Sequence, residues 1–259
     1  AGVPDPARDA RLLLAHAASV AAARITLIAP EEIAPEIAER FEHLIALRAV
    51  RVPVSHLVGS RAFYGRDFKI SRDVLDPRPE TETLIELALS APFESVLDLG
   101  TGSGCILVTL LAERADVRGI GIDLSDAACL QASANVVLHN VQARAQILQS
   151  DWFENVEGRF DLIVANPPYL AAREMDNVAP ELREHELAMA LTDGMDGLSA
   201  YRIIAHEAQG YLTAAGRVLV EIGWQQSDAV SQIFRDAGWA HVRIALDLDG
   251  RPRVVSAGL

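Results

Sequence analysis

Hydrophobic positions in the first fifty residues recur at helical spacing. Ala10, Leu13, Leu14, Ala17 and Ala18 fall on one face of a helix predicted over residues 7–20. Pro35 opens a second predicted helix over residues 35–49, in which Ile37, Phe41, Leu44, Ile45 and Arg48 repeat at the same spacing. From His56 the pattern shifts. His56-Leu57-Val58 and Phe68-Lys69-Ile70 flank Gly59 and Tyr64-Gly65, which predicts a β-hairpin with glycine turns. Pro77-Arg78-Pro79-Glu80-Thr81-Glu82 then leads into a helix ending near Leu89, with Pro79 in its first turn.

Beyond Pro92 short apolar strands alternate with amphipathic helices. Strands are predicted at residues 95–99, 117–122, 146–148, 162–165 and 218–222, and helices at 104–113, 126–139, 198–212 and 227–237. Such alternation calls for a mostly parallel sheet with helices on both faces. Residues 241–246 and 253–256 add two strands with no helix between them, an antiparallel edge. The fold class expected is therefore α/β: a seven-stranded, mostly parallel Rossmann-like sheet with a small N-terminal helical domain and a linking β-hairpin. Its boundaries are drawn at 1–52 for the helical domain, 53–78 for the hairpin linker and 79–259 for the sheet domain.

Composition narrows the partners. A net charge of −13 argues against duplex DNA, because neutralising phosphates supplies most nucleic-acid affinity, and it suits a basic protein partner better. No apolar run is long enough to span a bilayer. Cys105 and Cys129 lie far apart with no neighbouring His, so neither a disulfide framework nor a zinc site is expected. The seven histidines are scattered and form no metal motif. The expectation is a cytoplasmic, monomeric protein without a metal or a membrane anchor.

Two local patterns carry chemistry. Val96-Leu97-Asp98-Leu99 ends a strand, and Gly100-Thr101-Gly102-Ser103-Gly104 opens a helix. Glycines there let the backbone turn tightly and approach a ligand. The spacing is Gly-x-Gly-x-Gly, not the dinucleotide fingerprint Gly-x-Gly-x-x-Gly. Asp123 follows at the end of the next strand, where a carboxylate can accept from both ribose hydroxyls. A tight turn with a solvated Asp is the structural alternative. On these residues alone the site takes a nucleoside, and a nicotinamide enzyme stays open.

The second pattern is Asn166-Pro167-Pro168-Tyr169, at the C-terminal end of a predicted strand. That end is where open α/β sheets bind ligands. Two prolines would stop a strand by themselves, but that leaves the Asn before them and the aromatic after them unexplained. An sp² nitrogen is a poor nucleophile, and two acceptors aimed at its N–H groups would hold it and favour the charge that develops as it attacks. The Asn166 side-chain oxygen supplies one and the Pro167 carbonyl the other, while neither proline has an N–H to compete. Tyr169 would stack on a planar amide or base. This is positioning and electrostatic preorganisation without a general base before attack. Such chemistry serves an adenine amine or a carboxamide alike.

With these segments the chain resembles the N5-glutamine methyltransferases of peptide chain release factors, the HemK-type proteins. Further matching segments are Pro77 to Glu82, Ser150-Asp151-Trp152-Phe153, Ala190-Leu191-Thr192-Asp193-Gly194, Asp196-Gly197-Leu198, Glu221-Ile222-Gly223 and Asp247 to Arg251. The resemblance implies an S-adenosylmethionine site of Asp98, Gly100, Thr101, Gly102, Ser103, Gly104, Asp123, Trp152 and Asn166. Asp98 would lie near the methionine end, and Trp152 would cover the adenine. It implies a glutamine of a release factor's Gly-Gly-Gln loop held by Asn166, Pro167, Pro168 and Tyr169, with Arg78, Glu80 and Thr81 shaping the cleft and the N-terminal helices docking the partner. Asp76 departs from the apolar residue expected there. The sequence opens at Ala1 with about one helix fewer than the family's helical domain, so that domain is expected to be incomplete.

Competing readings are an adenine-N6 nucleic-acid methyltransferase, which the acidic charge disfavours, and a cofactor-binding protein that has lost catalysis. Glu181, Glu184 and Glu186 read as a solvated acidic helix, or else as a contact for a basic partner. Cys105 reads as a small buried helix residue.

Overall fold

A computed structural model describes residues 2–25 and 33–258. Helix α1 (Pro6–Ala17) starts where Asp5 accepts a hydrogen bond from the Arg8 backbone N–H and Pro6 supplies the first turn. It buries Leu13, Ala15 and Ala17 and packs against α2 (Pro35–Ala49), whose Arg48 donates to Asp9 across the pair at 2.7 Å.

The segment after Pro53 departs from its expected form. Residues Val54–Val58 form a short helix, α3, closed by Gly59 at φ 73°, and the hairpin begins only afterwards. Strands β1 (Ser60–Phe63) and β2 (Arg66–Lys69) pair antiparallel around Tyr64 and Gly65, both at positive φ. A five-residue segment that is apolar only at Val54, Leu57 and Val58 does not distinguish a strand from a helical turn, and Gly59 is the helix stop.

The main sheet has seven strands in the order β5-β4-β3-β6-β7-β9-β8. These are β3 (Ser95–Leu99), β4 (Arg118–Asp123), β5 (Ala145–Gln149), β6 (Phe160–Ala165), β7 (Leu212–Glu221), β8 (His241–Leu246) and β9 (Pro252–Gly258). The first five are parallel, and β9 joins β7 and β8 antiparallel, which is the expected α/β architecture with its antiparallel edge. Strand β7 is longer than its hydrophobic signal. It begins at Leu212, which pairs with Phe160, and an irregularity follows before Arg217 restores the register. The preceding helix, α9 (Ser199–Glu207), correspondingly ends early in a 3₁₀ turn over Ala208–Tyr211.

Alternate residues of each strand face two cores. Val96, Leu162, Val164 and Leu219 pack under α4 (Glu82–Leu89), α5 (Cys105–Glu113), α6 (Asp126–Leu138) and the hairpin. Leu97, Leu99, Ile163, Ala165, Val218 and Val220 pack under α9 and α10 (Ser227–Asp236). The hairpin is pinned by Asn135, fully buried on α6. Its side chain exchanges hydrogen bonds with the Lys69 backbone and donates to the Ser103 carbonyl. One amide thus ties the linker to the glycine loop. Among the described residues no helix is long and apolar enough to cross a membrane.

Gly119 sits where β4 passes under α5. A Cβ there would lie 2.5 Å from a Leu107 methyl and 2.8 Å from a Val96 methyl. Gly119→Ala should therefore destabilise the protein by about 1–3 kcal/mol in urea unfolding. Gly210→Ala, with nothing within 4 Å of its Cβ, should leave the midpoint nearly unchanged.

Candidate active site

Register sets the site. Leu99 of β3 pairs with both Ile122 of β4 and Ala165 of β6, so three strands end level and release Gly100, Asp123 and Asn166 along one rim. A cleft of about 200 Å³ opens above that rim. Gly100, Gly102 and Gly104 all take positive φ, and a Cβ at Gly100 would meet nothing within 4 Å, so the loop faces open space. Gly104, by contrast, packs against Ala132 and lets α5 lie on α6.

The cleft brings together Gly100, Thr101, Gly102, Ser103, Asp123, Trp152, Asn166, Pro167 and Pro168. Asp98 is not on its wall. It is fully buried beneath the loop, accepting from the Thr101 hydroxyl at 2.7 Å and from the Leu107 backbone N–H at 3.3 Å. Burial pushes its carboxyl up to about 7, and its Oδ1 has no partner. Asp123 accepts from the backbone N–H groups of Gly102 and Ser125, each at 2.9 Å, and each oxygen keeps a second lone pair. Burial raises its pKa against those bonds. Trp152 holds a left-handed backbone at φ 45° while its carbonyl accepts from the Ser150 hydroxyl. Strain of this kind in a bulky residue costs of order 1–3 kcal/mol and is characteristic of ligand-binding loops. Cys105 is both buried and on the cleft wall, with burial driving its thiol up to about 12.

Asn166 carries the most informative atom. Its Nδ2 donates to the Thr81 hydroxyl at 3.3 Å, whereas its Oδ1 is buried without a partner. An unpaired buried acceptor costs about 1–3 kcal/mol. Tyr169 turns away from this cleft. Its ring packs against the core below β7 and lines a second hollow of about 410 Å³ with Trp224, Gln226 and Arg253. Burial, reinforced by Glu221, raises its phenol to about 12.

The exit of the tetrapeptide is braced by segments whose role was not evident from sequence. Gln226 donates to the Tyr169 carbonyl at 2.8 Å, and Leu170 N–H donates to the Leu191 carbonyl. Asp193 accepts from the backbone N–H groups of Met195, Gly197 and Ser199. These bonds outweigh desolvation and hold its carboxyl down to about 2. Gly197 passes so close to the tetrapeptide that a Cβ would fall 2.3 Å from the Tyr169 oxygen, and only glycine fits.

The acidic stretch is neither simply solvated nor free for a basic partner. Glu181, on α7 (Pro180–His185), takes hydrogen bonds from Arg51 at 2.8 Å and Arg48 at 3.3 Å, and buried Glu186 pairs with Arg78. Only Glu184 remains exposed, beside Arg183. The helical domain is thereby fastened to the segment that follows the tetrapeptide. Asp76, the residue that departs from the apolar expectation, is buried and accepts from Ser55, so a hydrogen bond replaces apolar packing. Leu187, Met189 and Ala190 (α8, Ala188–Leu191) complete the cleft wall. Their signal was an apolar break in an acidic run.

Comparison with known proteins now bears on this arrangement. The methyltransferase small domain model matches residues 70–222, and the PrmC N-terminal domain model matches residues 1–59. A release factor glutamine methyltransferase of Cereibacter sphaeroides is 54% identical over 100% of this chain and 93% of its own length. The chain belongs to the release factor glutamine methyltransferase family. A second member, from Caulobacter vibrioides, is 41% identical over 98% of this chain and 90% of its own. A crystal structure of a methyltransferase from Pyrococcus furiosus is 16% identical and superposes with a TM-score of 0.60 over 83% of this chain and 100% of that one, a likeness of fold. Both of the family's domain models are thus matched, and the ion pairs of Arg48 and Arg51 with Glu181 join the two matched regions.

Glu181→Gln would leave Arg48 and Arg51 partly buried without their shared carboxylate. A partly buried pair of this kind is worth about 1 kcal/mol, or about fivefold in a local equilibrium. Amide hydrogen exchange in α7 and α2 should quicken by about that factor while β3, β4 and β6 stay protected.

Proposed function

We propose that the chain transfers a methyl group from S-adenosylmethionine to the side-chain amide nitrogen of the glutamine in the Gly-Gly-Gln loop of peptide chain release factors. The names of its full-length relatives support the reaction and the substrate class. The single observation that carries the mechanism is the unpartnered, buried Oδ1 of Asn166 at the rim of the cleft. An acceptor left empty there matches a substrate N–H.

The donor set fits the cofactor. Open space over Gly100 admits a nucleoside, Asp123 retains lone pairs for ribose hydroxyls, and Trp152 offers an apolar face. When bound, S-adenosylmethionine supplies an electrophilic methyl group. The protein's part is to hold the acceptor nitrogen. Asn166 Oδ1 accepts one N–H of the amide, which fixes its plane and favours the positive charge that grows on nitrogen as the new C–N bond forms. Pro167 and Pro168 stiffen the loop and contribute no donor. Tyr169, neutral throughout the working pH range, acts from behind as packing for that loop. The partner would approach along the helical domain, which Arg51 ties to Glu181 in the segment that leads to the cleft wall at Leu187.

Incubation with labelled cofactor and an unmethylated release factor should place label on one glutamine, located by mass spectrometry. Loss of that label after Gln→Ala in the release factor is expected; equal labelling of the Ala variant, or labelling of DNA instead, would overturn the proposal. Asn166→Ala should lower kcat by about 10²–10³ with cofactor affinity within about threefold of wild type by calorimetry. Near-full turnover in that variant would remove the amide-acceptor mechanism.

A further inference from the structure

Two adjacent prolines cannot anchor themselves, because neither has a backbone N–H to donate. The stretch from Asn166 to Tyr169 is therefore held from its ends. At one end β6 fixes Ala165 between Leu99 and Val220. At the other, Leu170 N–H donates to the Leu191 carbonyl at 3.0 Å, and Gln226 Nε2 donates to the Tyr169 carbonyl at 2.8 Å.

Gln226 occupies the N-cap position of α10, yet its side chain makes no capping bond. The amide is turned instead onto three backbone groups of three segments. Nε2 reaches the Gly197 carbonyl at 3.2 Å as well as that of Tyr169, and Oε1 accepts from the Gly223 N–H at 3.0 Å. We propose that Gln226 is a positioning residue for methyl transfer, the clamp that sets where the tetrapeptide presents the Asn166 and Pro167 oxygens. The proposal rests on the reading of those two oxygens as acceptors for the substrate amide.

The partners dictate how the clamp is oriented. A backbone carbonyl can only accept and a backbone N–H can only donate. Two carbonyls therefore require Nε2 and one N–H requires Oε1; a reversed amide would lose all three bonds and set oxygen against oxygen twice. Gly197 and Gly223 give the amide room. A Cβ would fall 2.3 Å from the Tyr169 oxygen at the first and 2.9 Å from Gln226 Oε1 at the second. The clamp is itself founded on the sheet. Fully buried Tyr201 donates to the Glu221 carbonyl at 2.8 Å, Ile222 N–H donates to the Arg253 carbonyl at 2.9 Å, and Gln226 N–H closes the turn on the Gly223 carbonyl at 2.8 Å.

The proline pair carries this hold to the cleft. Each ring locks φ near about −65° and the peptides between them are planar, so a displaced Tyr169 carbonyl moves Pro167 with it. A misplacement of about 1 Å at a reacting group can cost about a hundredfold in rate.

The test uses the full chain and three variants. Gln226→Met keeps the reach of the side chain and removes all three bonds. Gln226→Glu keeps the shape and the acceptor for Gly223, but at about pH 8 its carboxylate has no proton for the two carbonyls. Gln225→Met, at the exposed neighbour, is the control. In cofactor-free protein, Gln226→Met should quicken amide exchange at Leu170 and Gly223 and shift the ¹⁵N side-chain signal of Asn166, assigned by its loss in Asn166→Ala; the control should do neither. In turnover with the release factor, normalised to cofactor sites titrated by calorimetry, both Gln226 variants should lose about tenfold to a hundredfold in kcat, with cofactor affinity within about twofold. A side chain that only packs would tolerate Glu. Wild-type kcat in Gln226→Glu, or an unmoved Asn166 signal in Gln226→Met, would overturn the assignment. If wild type methylates no release factor while the Asn166 signal responds as expected, the clamp stands and the substrate reading falls.

Discussion

Everything at the rim depends on in-register pairing of β3 with its two parallel neighbours. Because Leu99 meets both Ile122 and Ala165, the glycine loop, the Asp123 carboxylate and the Asn166 amide leave the sheet at one level. Parallel register is enforced by burial on both faces, and a slip by one residue would turn Leu97 and Val96 into each other's core. The chemistry is thus carried by packing that never touches a ligand. Asn135 extends the constraint outward, since the same buried amide that holds the hairpin also holds the carbonyl of Ser103.

Against that rigid frame the site tolerates several locally unfavourable features. Trp152 holds a left-handed backbone, Asp98 and Asn166 each bury an unpaired oxygen, and two carboxyls are raised to about 7 by desolvation. Such costs persist where the surroundings over-determine the geometry, and they cluster at sites of function. Among the described residues, the helical domain meets this region through charge. Arg48 and Arg51 reach Glu181 across the junction, and Arg78 of the linker reaches Glu186. Part of the acidity that distinguishes the chain is therefore spent internally.

Local signals made much of this legible. The alternation of apolar runs specified the sheet and its antiparallel edge, and glycine spacing located the loop, because those features depend on neighbours close in sequence. What was illegible is long-range. Nothing in Glu181 or Glu186 announces Arg51 or Arg78, more than a hundred residues away. Val54 to Val58 was ambiguous because so short a segment, apolar only at Val54, Leu57 and Val58, suits either a strand or a helical turn. Tyr169 could be placed beside Asn166 in sequence, yet which hollow its ring lines is decided by Gly223 and Gln226 on another element.

The strand order has a consequence for what the cleft can accept. Asp123 ends β4 and Asn166 directly follows β6, with β3 alone between them. Neighbouring strands lie about 4.8 Å apart, so the two chain ends stand about 10 Å apart, a separation fixed by backbone hydrogen bonds and not by side-chain rotamers. The sheet is a ruler. A donor anchored at one mark serves an acceptor at the other only if its own length matches, and no loop movement can reset the scale.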